Sequence, residues 1–174
     1  GLCSSPCWLG QKKNGALVWA RVDQLVLCDN EAMRRLFDDR LTWWAVQDLK
    51  DLAQELDVSV VSQAEPVVSA ILPNESFEEP TRILTNIWQY ICWFLKDNAP
   101  SSAPKVYRVD SINVRYRIKG VESSPDESIC SWYWPERETL VLTDRSGLGF
   151  EYELAEALVP YFQRSSQTGK KITK

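Results

Sequence analysis

The sequence contains no histidine. That excludes Ser-His-Asp and Cys-His nucleophile systems, and every zinc or haem site with an imidazole ligand. Carboxylate or lysine chemistry remains, or no chemistry at all. Long apolar runs are also absent: none approaches the roughly 18 residues a membrane helix needs, and residues 1–20 lack a basic stretch followed by an apolar core. The chain therefore reads as a soluble domain, and Gly1 in place of Met suggests an excised fragment or a cleaved tag. Basic residues are outnumbered, twenty against twenty-four, for a net charge of −4 and a pI near 5.0. Non-specific nucleic-acid binding is disfavoured by that balance.

Cysteine is sparse and odd in number, at positions 3, 7, 28, 92 and 130. Cys28, Cys92 and Cys130 lie among apolar neighbours, which points to buried free thiols in a reducing compartment, cytoplasm or nucleus. Cys3 and Cys7 are spaced C-x3-C, but a structural zinc site needs two further ligands, so neither metal nor cofactor is expected.

What is abundant is aromatic: eight Trp, six Tyr and five Phe within 44% hydrophobic residues. A chain of 174 residues with that content buries roughly 70% of its unfolded surface, as one domain or two small subdomains. Asn14-Gly15 signals a turn before an extended run at 16–21. Asp29 or Asn30 caps a helix carrying Ala32, Met33, Leu36 and Phe37. Residues 46–57 read as an amphipathic helix, with Val46, Leu49, Leu52, Ala53 and Leu56 on one face. Residues 58–72 read as short extended pieces, since Pro66 excludes a central strand.

Glu78-Glu79-Pro80 opens a helix to about Lys96 that is apolar on almost every side and so must be surrounded. Residues 98–105 are a Pro/Ser/Ala-rich linker. Beyond it, Ile112, Val114, Tyr116 and Ile118 alternate with Asn113, Arg115, Arg117 and Lys119, and runs at 129–134 and 139–143 complete an antiparallel meander. A last helix carries Phe150, Leu154, Leu158 and Phe162, with Pro160 kinking or ending it and a disordered tail at 163–174. The expected class is α+β: a mainly helical part (1–97) with an N-terminal hairpin, packed on a β meander with a C-terminal helix (106–162).

Candidate chemistry is thin. Asp144-x-x-Gly147-x-Gly149 has the spacing of neither a dinucleotide fingerprint nor a P-loop, and reads as a strand-to-helix turn. Asp38-Asp39 and Glu151/Glu153 would serve as acid and base only across a cleft. Arg108, Arg115, Arg117 and Lys119 near Trp132 and Trp134 resemble a phosphate-plus-stacking surface for single strands, although Glu122, Asp126, Glu127, Glu136 and Glu138 offer cross-strand ion pairs instead. Trp43-Trp44 and Trp132-x-Trp134 stand out, because tryptophan is the side chain most enriched at binding hot spots. On a helix Trp43 and Trp44 would diverge by about 100°, leaving one exposed.

Pro6-Cys7-Trp8, the run Val18 to Asn30 and the run Met33 to Leu41 resemble a segment found after the ATPase module in sacsin-like and NO VEIN-like proteins, large proteins with a histidine-kinase/Hsp90-type ATP-binding domain. The resemblance covers residues 6–65, with an echo at 106–162. It implies a non-catalytic downstream region and carries over no active-site residue. The sequence thus leads to a protein–protein interaction or scaffolding domain of a larger protein that is itself no enzyme. The expected partner is another protein, met through an acidic or apolar peptide at Trp132, Trp134, Arg115, Arg117, Trp43 and Trp44. A single-stranded nucleic-acid module and a histidine-free carboxylate enzyme are the alternatives.

Overall fold

The computed structural model describes residues 5–95, 102–143 and 149–170, with the side chains of 47, 94, 95 and 164–170 excepted. Cys3, most of the expected linker and residues 144–148 of the glycine-containing turn lie outside the described residues. The class is α+β with a C-terminal helix. The chain divides into two compact units, one of residues Gly1–Val67 with Val114–Asp126, the other of Val68–Asn113 with Glu127–Lys174. That division crosses the expected one, which was drawn at the linker.

The first unit is built on a sheet rather than on helices. Strands β1 (Trp8–Gln11), β2 (Leu17–Ala20), β3 (Leu25–Leu27), β4 (Thr42–Trp44) and β5 (Ser59–Val60) lie in the order β2-β1-β4-β3-β5. The hairpin β1–β2 closes at Gly15, whose φ of 83° suits glycine. Helix α1 (Glu31–Phe37) starts at Asn30, whose side chain accepts the Met33 amide at 3.1 Å. Of the helix expected at 46–57, only α2 (Lys50–Glu55) forms, after a 3-10 turn.

The expectation for Trp43 and Trp44 is corrected here. Thr42, Trp43 and Trp44 are β-branched and aromatic, fit a pleated strand better than a helix, and so point to opposite faces of the sheet. Trp44 packs with Ala20, Leu25, Leu27, Ala53 and Val58 on one face, and Trp43 with Val26, Phe37, Leu41, Val61 and Ile118 on the other. Both are buried, at 2% and 1% exposure.

Strands β6 (Glu65–Ser69), β8 (Asn113–Ile118) and β9 (Val121–Glu122) form a small separate sheet in the order β6-β8-β9. Pro66 sits on its outermost strand, where its missing N–H is tolerated. Lys119 and Gly120, at φ 51° and 76°, turn β8 back onto β9. From that turn the Lys119 ammonium donates to the carbonyls of Asp23 and Leu25 at 2.5 and 2.8 Å. Burial pushes its pKa down.

In the second unit, β7 (Lys105–Val109), β10 (Ser131–Trp134) and β11 (Thr139–Thr143) form a sheet ordered β10-β11-β7, with β11 antiparallel to β10 and parallel to β7. The expected meander is therefore broken, because β8 and β9 belong to the other sheet. Every residue of β11 is buried, as a continuous apolar run in a parallel pair requires. Helices α3 (Glu78–Leu95) and α4 (Phe150–Lys170) share a core with Val106, Tyr133, Leu140 and Leu142.

Two helix expectations change. α3 is covered on one face only: Leu84 and Trp88 are buried while Tyr90 and Trp93 are exposed. Pro160 lies inside α4, which continues to Lys170 through residues expected to be disordered. Among the described residues, no helix is long and apolar enough to cross a membrane.

Candidate functional site

The sequence-predicted surface does not assemble. Trp132 is buried at 5% exposure, and Tyr133 and Ser131 face α4, with the Ser131 hydroxyl donating to Glu156 at 2.6 Å. Trp134 is half-buried and carries the Arg137 guanidinium 4.1 Å from its ring centroid. Arg117 forms a cross-strand pair with Glu122 at 2.5 Å, in the register that sets those two residues opposite each other. Arg115 is half-buried on the same strand. Arg108 belongs to the second unit, pairs with Glu153 at 3.5 Å and lies over Phe77. Arg108, Arg117 and Lys119 thus spend donors on carboxylates and carbonyls of the fold, of which only the Arg117–Glu122 pair is cross-strand.

A different surface does assemble, on the Trp43 face of the first sheet. Direct cross-strand partners share a face, so Leu17, Gln11 and Trp43 form one row across β2, β1 and β4, and Trp19 with Leu9 forms the next. Helix α1 covers the β3–β4 half of this face through Met33 and Phe37. On the β1–β2 half, Leu17 and Trp19 stand 59% and 70% exposed. β2 is also the outermost strand, with no second neighbour among the described residues.

Between the two halves runs a cleft of about 200 Å³ lined by Lys13, Glu31, Arg34, Arg35, Asp38 and Trp43. Three of these residues, Glu31, Arg34 and Arg35, follow the helical spacing i, i+3, i+4 and so lie in a stripe along one flank of α1, and Asp38 stands just past its end at φ 50°. Trp43 lines the cleft, with the Arg34 guanidinium 5.3 Å from its ring centroid. The Trp43 indole N–H is buried and has no acceptor among the described residues. At the mouth, the Lys13 ammonium donates to the Asp38 carboxylate, which raises the lysine pKa and lowers the carboxyl pKa, chiefly through that hydrogen bond. Glu31 lies 3.6 Å from Arg34. Arg35 is exposed and pairs with no carboxylate among the described residues. Three cations against two carboxylates leave the cleft with one surplus positive charge.

Sequence reasoning had Asp38 as a catalytic candidate and found α1 and β2, but missed the stripe and the exposed pair. The i, i+3, i+4 run of charges was the available signal for one. For the other it was the parity of Leu17 and Trp19 against Val18 and Ala20.

Among the described residues, no group of three or more Cys, Asp or Glu is arranged to hold a metal ion. The thiols also depart from expectation: Cys28, Cys92 and Cys130 are half-buried rather than buried, and Cys7 is exposed. Burial, then the Glu31 charge, pushes the Cys28 thiol up. In a native-state time course with iodoacetamide near pH 8, followed by mass spectrometry, Cys7 should label about tenfold faster than Cys28. Equal rates would show that the β3–α1 junction opens freely.

Comparison with family models, with curated proteins and with solved structures gave no match.

Proposed function

We propose that the chain is a protein–protein interaction module whose docking surface is the uncovered β1–β2 half of the first sheet, beside α1. One observation carries the reading: a leucine and a tryptophan stand 59% and 70% exposed on adjacent same-face positions of an outermost strand. Edge strands are ordinarily blunted by charge, proline or a covering element. β2 has neither charge nor proline and no covering element among the described residues, and large exposed aromatics bind partners or cause aggregation. The runs that resemble the segment of sacsin-like and NO VEIN-like proteins build this hairpin and α1. Residence within such a larger protein belongs to the same proposal, as do a non-catalytic role and an intracellular setting.

The test is the double variant Leu17→Ser/Trp19→Ser in the full chain, with Ile71→Ser, at a 92% exposed position of the other unit, as the control. Both variants should change stability by less than about 1 kcal/mol, since neither touches the core. Affinity capture with nuclease present should lose its specific partners with the double variant and keep them with the control. Retention by the double variant would move the surface elsewhere.

A further inference from the structure

We infer that the occupant of this surface is an amphipathic helix with an acidic flank, lying beside α1 over β1 and β2; this rests on the docking reading above. The spacing favours it. Strands in a sheet are about 4.8 Å apart, so two strands span close to 10 Å, the distance at which neighbouring helices pack on one face. α1 already occupies the half over β3 and β4. The next helical position falls over β1 and β2, where Leu17 and Trp19 supply the apolar floor. Such a helix presents apolar anchors downward at i, i+3, i+4 and i+7, and one flank toward α1.

That flank of α1 is charged, and its charge selects the partner. Arg35 is without a carboxylate among the described residues, Arg34 is fixed over the Trp43 ring, and Lys13 stands at the mouth of the cleft. A guanidinium fork matches a carboxylate through two parallel hydrogen bonds. The single surplus positive charge of the cleft suits a glutamate or aspartate side chain better than a dianionic phosphate. A basic flank would meet Arg34 and Arg35 as like charges and be rejected.

The experiment titrates the intact chain, by tryptophan fluorescence and calorimetry, with acetylated and amidated helical peptides about 18 residues long. All carry the same leucine face, with a flank of glutamate, glutamine or lysine. The glutamate peptide should bind at least about tenfold tighter than the other two at low salt, and lose that advantage as salt is raised. Arg35→Glu, an exposed change, should cancel the preference, and Arg34→Gln should weaken it. Leu17→Ser/Trp19→Ser should weaken all three peptides alike.

Equal binding of the three peptides, all abolished by Leu17→Ser/Trp19→Ser, keeps the docking surface and overturns the acidic helix. Tighter binding of an extended peptide of the same composition overturns the helix in favour of a strand added to β2. Sedimentation of the chain as a dimer that dissociates in the double variant assigns the face to a second copy. Failure of all peptides to bind below about 1 mM, with partners still captured through Trp19, overturns the helix inference alone.

Discussion

Trp43→Ala and Trp44→Ala are each expected to lower stability by about 3–5 kcal/mol, the cost of emptying a tryptophan-sized space in a packed core. The two side chains leave consecutive residues of β4 for opposite faces, so each variant hollows out a different cluster. Phenylalanine separates them further. The Trp43 indole N–H is buried with no acceptor among the described residues, so Trp43→Phe removes an unsatisfied donor along with the ring atoms. The Trp44 indole N–H donates to the Val46 carbonyl at 2.7 Å, so Trp44→Phe loses a hydrogen bond as well. Trp44→Phe should therefore be the costlier of the pair by about 1 kcal/mol in urea unfolding at constant m-value. A reversed order would place the Trp43 N–H in a hydrogen bond.

The second large effect belongs to Arg108. Glu153 is 2% exposed, one turn into α4, and the Arg108 guanidinium 3.5 Å away forms an ion pair with it while also resting on the Phe77 ring. Arg108→Met keeps the length and apolar stem but takes a cation away from a buried carboxylate, which should cost about 3–5 kcal/mol. Adding Glu153→Gln should restore most of that loss, because the expense lies in the charge balance around the buried carboxylate rather than in the missing contact. A double variant as unstable as the single one would show that packing of the Arg108 stem carries the effect.

Local chemistry was readable from the sequence and long-range pairing was not. Asn30 as a cap, Asn14-Gly15 as a turn, Pro66 on an outer strand and Glu78 at a helix start each depend on neighbours within a few residues. The parallel pairing of Val106 with Leu140 depends on residues 34 apart in the chain, and no periodicity within either strand announces it. The buried tryptophans misled for a related reason. Large aromatics are equally the material of cores and of binding sites, and only the sheet order tells which faces are covered. The candidate site divides in the same way: the α1 stripe was within reach of helical spacing, but its place beside an uncovered half-sheet required the order β2-β1-β4-β3.

The interrupted first unit has a consequence for the chain as it is made. Its opening portion ends at Val67 and its closing portion, Val114–Asp126, arrives only after the segment between them. At a synthesis rate of 5–20 residues per second, that interval lasts about 3–12 seconds. Throughout it, Val26, Phe37 and Trp43 lack the cover of Ile118, Tyr116 and Val121, and the Leu25 carbonyl lacks the Lys119 ammonium. The nascent chain thus emerges with an unroofed aromatic surface. It also means that a truncation between residues 67 and 114 cuts through the first unit rather than between two units.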